Sequence, residues 1–240
     1  YYTKRFSVYS RMIDTTNWNY YYKLSTDGTP CESNLLYVPL VNEQQDVMCM
    51  HYTVNKEYQQ YIDSVPQDVV DYFFEKELRL ITGAQNLECT PKVLDVDETN
   101  RKIFIEWNKE TLSQIVNDKT RSLDLEIPDW KDRVFNILQE LKENEYWKVA
   151  LYPHCFFLNK DGILKTIDYY AVVPYEERYL KRSIIEKIIG PGGAYRFDEA
   201  TAYGIIDFKK FYDITMTRHL GNFWKDNPFP EFYKRLHNEL

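Results

Sequence analysis

Cysteine is scarce in this chain and nowhere paired. The four residues Cys31, Cys49, Cys89 and Cys155 are far apart and form no CxxC spacing, so neither a zinc ribbon nor a small disulfide scaffold is signalled. They read as reduced, mostly buried thiols. No run approaches the roughly 18 apolar residues that cross a bilayer, and no basic-then-apolar leader opens the sequence. The expectation is a protein without membrane contact, located in the cytoplasm. No basic stretch of any length occurs, and the formal charge is −7, which repels phosphate backbones and speaks against a nucleic-acid partner. Internal repeats and low-complexity tracts are also missing.

What the chain does have is aromatic surface. It carries 21 Tyr, 13 Phe and 5 Trp within 240 residues that are 44% hydrophobic, far more than a solvated, disordered composition holds. Such a chain must collapse, into one large domain or two closely packed lobes.

The first half reads as strands separated by turns. Trp18 to Leu24 and Asn34 to Val41 are β-favouring runs on either side of the Asp27-Gly28 and Pro30 turn chemistry, and Val47 to Val54 is a third strand. Together they make an antiparallel meander. After Pro66 the period changes to that of a helix through Val69, Val70, Phe73, Phe74, Glu77, Leu78, Leu80 and Ile81, with Gly83 as its C-cap. Lys92 to Val96 and Lys102 to Trp107 are two further strands. From Trp107 onwards the pattern is mainly helical, with a short helix at Glu110 to Val116 and a long one from Trp130 to Tyr146 behind Ile127-Pro128-Asp129. Strands at Phe156 to Leu158 and Leu164 to Ile167 flank an Asn-Lys-Asp-Gly turn at 159 to 162, a hairpin signal. Helices are expected again at Ser183 to Ile189, Ile206 to Leu220 and Glu231 to Leu240, the first two separated by the breaker Gly190 to Gly193.

The stretch from Tyr152 to Tyr170 reads YPHCFFLNKDGILKTIDYY. It resembles the protein-kinase segment of form KPENLLIxxxGxIKVxDFG, with Phe156-Phe157-Leu158, Gly162, the strand 163 to 167 and Asp168 at matching spacing. Three strands, a helix, two strands, then a long helix leading into this hairpin is also the kinase element order. The resemblance implies an α+β, bilobal protein-kinase-like fold. A small antiparallel β lobe with one helix would occupy residues 1–106, and a larger, mainly helical lobe residues 107–240. It further implies ATP and Mg²⁺ as the ligands of the cleft, with Asp168 on the metal. Glu77, with Glu75 as the alternative, would face the small lobe from the helix, and Glu106 and Trp107 would enter the hinge beside the adenine edge.

Carrying the motif over residue by residue removes much of its chemistry. The base position falls on Ala150, which has no group to accept a proton. The second metal position falls on Cys155, whose neutral thiol is a poor ligand for Mg²⁺. The third strand, Val47 to Tyr52, holds no lysine, and His51 is the nearest substitute, with a shorter reach and a pKa near neutrality. Only Gly28 remains of a phosphate-covering glycine loop, and Tyr169-Tyr170 replaces the Phe-Gly after the metal aspartate. These departures lead to an expected pseudokinase-type binding or scaffold protein with a protein partner. An active phosphotransferase with a rearranged site, related to the aminoglycoside and choline kinase branch and using Asp161 or Glu145 as its acid, is the second reading. A structural protein without nucleotide affinity is the third. His154 and Cys155, adjacent on a segment read as extended, are expected to point apart and not to act together. Tyr169 or Tyr170 is expected to fill part of the cleft.

Overall fold

The computed structural model describes residues 13–23, 36–53, 67–148 and 153–174. The turn at Ser25 to Ser33, the expected base position Ala150 and the three C-terminal helices lie outside the described residues.

Five strands form one antiparallel sheet: β1 (Asn19–Tyr20), β2 (Val38–Val41), β3 (Val47–His51), β4 (Val93–Asp97) and β5 (Lys102–Glu106), in the spatial order β1-β2-β3-β5-β4. The meander expected for the first three strands is present. Register explains why β3 and β5 look almost continuously apolar. Met48 pairs with Ile105 and Met50 with Ile103, and this face packs into the main core. Cys49 pairs with Phe104 on the opposite face, where the Trp18 ring meets Phe104 edge-on at 5.8 Å. Both faces are therefore covered, so polar alternation is lost at the middle of the sheet. Each fully buried Met or Ile contributes roughly 1.5–3 kcal/mol.

Helix α1 (Gln67–Gly83) lies between β3 and β4, as the kinase-like order requires. Its buried stripe is Val70, Phe73, Phe74, Glu77 and Ile81, so a carboxylate sits where a helix of this period normally buries an apolar residue. Gly83 is the last residue of the helix and not a left-handed cap, because Gly162 is the only described glycine at positive φ. The chain simply continues, with Ala84 N–H donating to the Leu80 carbonyl at 3.0 Å.

The second part begins with α2 (Leu112–Asn117), later than the sequence pattern placed it. Thr111 and Gln114 account for the shift. The Gln114 side chain accepts from the Thr111 N–H at 3.2 Å, the reach-back of a capping box. A short helix, α3 (Leu123–Glu126), was not legible in the sequence, and α4 (Trp130–Glu143) stops before Tyr146. Its end is set by Asn144, whose side chain donates to the Glu140 carbonyl at 2.9 Å, and by Glu145 in the left-handed region. Tyr146 instead opens β6 (Tyr146–Lys148), which pairs with β9 (Val172–Pro174). Segments of three residues carry no period, so this pair also escaped the pattern reading.

Between them stands the expected hairpin, of β7 (Phe156–Leu158) and β8 (Leu164–Thr166), which pairs Phe156 with Thr166 and Leu158 with Leu164. Asn159 organises its turn: its side-chain oxygen accepts from Asp161 N–H at 3.0 Å and Ile163 N–H at 2.9 Å. Gly162 takes φ +76°, a conformation that costs other residues about 1–2 kcal/mol. Thr166 N–H donates to the Cys89 carbonyl at 2.9 Å, and Thr111 bridges Phe157, so the hairpin is fastened to the loop after α1 and to the entry of α2. The result is α+β and kinase-like: a small antiparallel sheet with one helix, joined to a part in which helices and a hairpin predominate. Among the described residues no helix is long and apolar enough to cross a membrane.

Candidate functional site: a buried ion cluster at Asp168

Asp168 follows β8 at the end of the hairpin remote from Gly162, with φ 64° and ψ 56°. A non-glycine residue holds that conformation only where its surroundings fix it, and Asp is among those that tolerate it best. The fixing contacts are on every side. Both carboxylate oxygens are engaged: Lys23 Nζ forms an ion pair with Oδ2, and the Tyr37 hydroxyl donates to Oδ1 at 2.6 Å. The Lys23 ammonium also donates to the Tyr37 hydroxyl at 2.9 Å, closing a three-membered ring of polar groups. Lys148 Nζ holds the backbone, donating to the Ile167 carbonyl at 2.6 Å and to that of Asp168 at 3.3 Å. Asp168, Lys23 and Tyr37 are all 0% exposed.

Burial alone pushes the Asp168 carboxyl up. The positive charges of Lys23 and Lys148, with the hydrogen bonds from Lys23 and Tyr37, outweigh it and hold the group below the ordinary carboxylate value. Asp168 is thus a buried, ionised carboxylate whose countercharge comes from the protein itself.

Glu77 reaches the same region from α1. Its carboxylate accepts the backbone N–H groups of Tyr169, at 3.0 Å, and of Tyr170. Here burial wins: with the Asp168 charge nearby it raises the pKa to about 7, although the two N–H bonds and Lys148 act in the other direction. Tyr52 stands beside this carboxylate. Its hydroxyl is buried without a hydrogen bond of ordinary distance and angle, and its ring packs on Tyr37 at 5.2 Å and on Phe74 at 5.8 Å.

The structure brings Glu77 and Asp168 together and leaves Glu75 exposed on the other side of the helix. His51 lies on the opposite face of the sheet. It pairs with Lys102 of β5, and burial, then the Lys102 and Arg101 charges, lower its pKa. The cation at Asp168 is Lys23 instead, supplied by the segment after β1 and not by the third strand. That is a correction to the expectation of a site without lysine. One signal for it was present in the sequence: Lys23 is the single charge in the β-favouring run Trp18 to Leu24. Tyr37 and Lys148 carried no such signal.

Glu106 and Trp107 are at the end of β5, as expected. The Glu106 carboxylate is committed internally, accepting from Lys92 N–H at 3.0 Å and lying 3.6 Å from Lys165 Nζ. The Trp107 ring meets Tyr21 edge-on at 5.1 Å and lies tilted against Phe157 at 4.5 Å. These three rings join the segment after β1, the end of β5 and β7. Tyr169 and Tyr170, one of which was expected to fill part of the cleft at Asp168, are both buried next to it, with their backbone N–H groups on Glu77. The Tyr169 hydroxyl bonds Thr90 at 2.6 Å, and Tyr170 meets Phe73 of α1 edge-on. Asp161 and Glu145, the candidate replacement acids, are both exposed, Asp161 at the far tip of the hairpin.

Cys155 stands 3.6 Å from Asp168 Oδ2. A thiol and a carboxylate already paired with an ammonium do not fit Mg²⁺, which demands an octahedron of oxygens. The sulfur contradicts that requirement, and any ion at this carboxylate must first displace the ammonium.

No protein-family model matches the sequence, and no curated protein sequence does. Among solved structures the chain is similar to WbdD. Monomeric WbdD is 13% identical with a TM-score of 0.46, over 92% of this chain and 46% of that one. A structure of WbdD described as a bifunctional kinase-methyltransferase gives 13% and 0.48, over 89% and 50%. A high-resolution WbdD structure gives 13% and 0.43, over 79% and 47%. The chain spans about half the length of these structures. Likeness at this level decides nothing about the site, which is read from its own geometry.

Proposed function

We propose that this chain is a kinase-like binding or scaffold protein that does not transfer phosphate and that works through a protein partner. The observation that carries the reading is the state of Asp168: fully buried, with one oxygen on Lys23 and the other on Tyr37. A carboxylate in that condition offers nothing to a metal–nucleotide complex unless the ring of contacts opens. Support comes from Ala150 and Cys155 at positions where the resembling family needs an acid and an oxygen ligand. The packing of Trp107 against Tyr21 and Phe157 adds to it, since the resemblance puts Trp107 in the hinge beside the adenine edge.

The test is thermal stability with ATP or ADP and Mg²⁺, alongside phosphotransfer to generic protein and small-molecule acceptors. A nucleotide that binds the folded state at a hundredfold excess over its Kd adds about 2.7 kcal/mol, which for a chain of this size shifts Tm by several degrees. The expected result is no shift and no transfer. Turnover that disappears in Asp168→Asn, a substitution that tolerates the left-handed backbone, would replace this reading with that of an active phosphotransferase. Lys23 would then be the phosphate-facing cation, and its contact with Asp168 is the one observation favouring that alternative.

A further inference from the structure

The turn Pro153–Cys155 changes which side chains face Asp168. On an extended segment His154 and Cys155 would diverge, but these residues form a 3-10 turn, in which successive side chains are about 120° apart. The expectation that they do not act together therefore fails on local geometry. One ligand atom each from His154, Cys155 and Asp168 lie within 4.8 Å of one another. A tetrahedral ion about 2.3 Å from a thiolate and about 2.0 Å from a carboxylate oxygen holds those two atoms about 3.5 Å apart. The Cys155 Sγ to Asp168 Oδ2 separation is 3.6 Å. That edge of the tetrahedron already exists.

We propose that His154, Cys155 and Asp168 form a binding site for a borderline-soft divalent ion of the Zn²⁺ class, with Lys23 as the competing cation. One nitrogen, one sulfur and one oxygen are a donor set that Zn²⁺ and Co²⁺ accept and Mg²⁺ does not. His154 is half-buried, whereas Cys155 and Asp168 are buried, so the ion enters from the histidine side and water completes the fourth position. Charge balances: the Cys155 proton passes to solvent as the metal–sulfur bond forms, and thiolate plus carboxylate neutralise the ion beside a neutral imidazole. Lys23 and the ion claim the same oxygen, so binding drives the ammonium off Oδ2. Metal occupancy and the Lys23 clamp exclude each other. The inference goes beyond the scaffold reading and does not depend on it, since it concerns which ion the pocket takes and not whether nucleotide binds.

Cobalt titration of the full chain, reduced and freed of metal by a chelator, is the test. A thiolate-to-cobalt charge-transfer band and strong visible absorption of tetrahedral type are expected, both saturating at one equivalent. Cys155→Ser abolishes the charge-transfer band. His154→Ala, at a half-buried position where folding is least at risk, weakens binding by more than the about tenfold that loss of even a supporting contact costs. Lys23→Met tightens binding, and excess Mg²⁺ displaces nothing. Among the described residues Cys49 and Cys89 belong to no comparable cluster of ligand atoms, so they offer the ion no second site. The proposal is overturned by absence of the thiolate band in the folded wild type, by a band that survives Cys155→Ser, by unchanged affinity in His154→Ala, or by weaker binding in Lys23→Met. Nucleotide binding is scored separately, so failure of either reading leaves the other standing.

Discussion

Replacing Lys23 with Met keeps the length of the side chain and removes its charge, which leaves Asp168 buried against its neighbours with its main countercharge gone. Removing one partner of a buried ion pair typically costs 3–5 kcal/mol, because the remaining charge is neither solvated nor matched. Lys148 softens the loss but does not replace it, since its ammonium donates to backbone carbonyls and not to the carboxylate. The expected cost is therefore about 3 kcal/mol or more, read in urea as a lower midpoint at unchanged m. Asp168→Asn should cost a similar amount by stranding the ammonium. The double variant Lys23→Met/Asp168→Asn removes both charges, and its cost should fall well short of the sum, with a coupling of about 2–3 kcal/mol. The pH dependence supplies a second check. Without Lys23 the burial of Asp168 is much less opposed, its folded pKa rises above the ordinary value, and the folded state takes up a proton. The penalty in Lys23→Met should shrink as pH falls through that raised pKa. Additive single-variant costs, or a Lys23→Met protein as stable as wild type at pH 8, would mean that the ring of Lys23, Tyr37 and Asp168 does not exist in solution.

Glu77 has a folded pKa of about 7 against an ordinary 4.5, so between these values the folded state binds more protons than the unfolded. Stability should consequently decline as pH rises through this window, by about 3 kcal/mol in all, and recover on acidification until Asp168 begins to protonate. Glu77→Gln is expected to flatten the urea midpoint between pH 5 and 8 while lowering it overall, since an amide offers an N–H where Tyr169 or Tyr170 presents one. A slope unchanged by the substitution would assign the pH dependence elsewhere. In the hairpin, Gly162→Ala meets no atom within 4 Å, so only backbone strain of about 1 kcal/mol should appear in thermal melts. Asn159→Ala strips the acceptor of two N–H groups and should cost more, about 2–3 kcal/mol. The reverse ranking would show that the turn is held by Gly162 and not by Asn159.

Much of the architecture was legible because it depends on patterns that need no partner. The period of α1, the Asn159 to Gly162 turn and the apolar runs of β2, β3 and β5 each declare themselves within a few consecutive residues, and the kinase-like order follows from their sequence. The site was legible only where a residue is out of place in its own pattern. Glu77 interrupts an apolar helix stripe, and Asp168 follows an apolar strand. Lys23 is a lone charge in the run Trp18 to Leu24, yet its pairing with Asp168 was not legible, because the two stand 145 positions apart.

His154 and Cys155 failed for a different reason: side-chain direction depends on local winding, and a single 3-10 turn reverses the answer that an extended segment gives. One physical rule underlies both cases. A cluster of buried charges must be neutral and fully bonded to be tolerated, and the chain can meet that demand from any segment that reaches the spot. Lys23 from the segment after the first strand and Lys148 from the sixth strand, with the Glu77 and Asp168 carboxylates, satisfy it here. The closure of this cluster, more than the loss of any one motif residue, is the ground on which we propose a protein that does not transfer phosphate. Whatever residues stood at the motif's other positions, Asp168 would remain held by Lys23 and Tyr37.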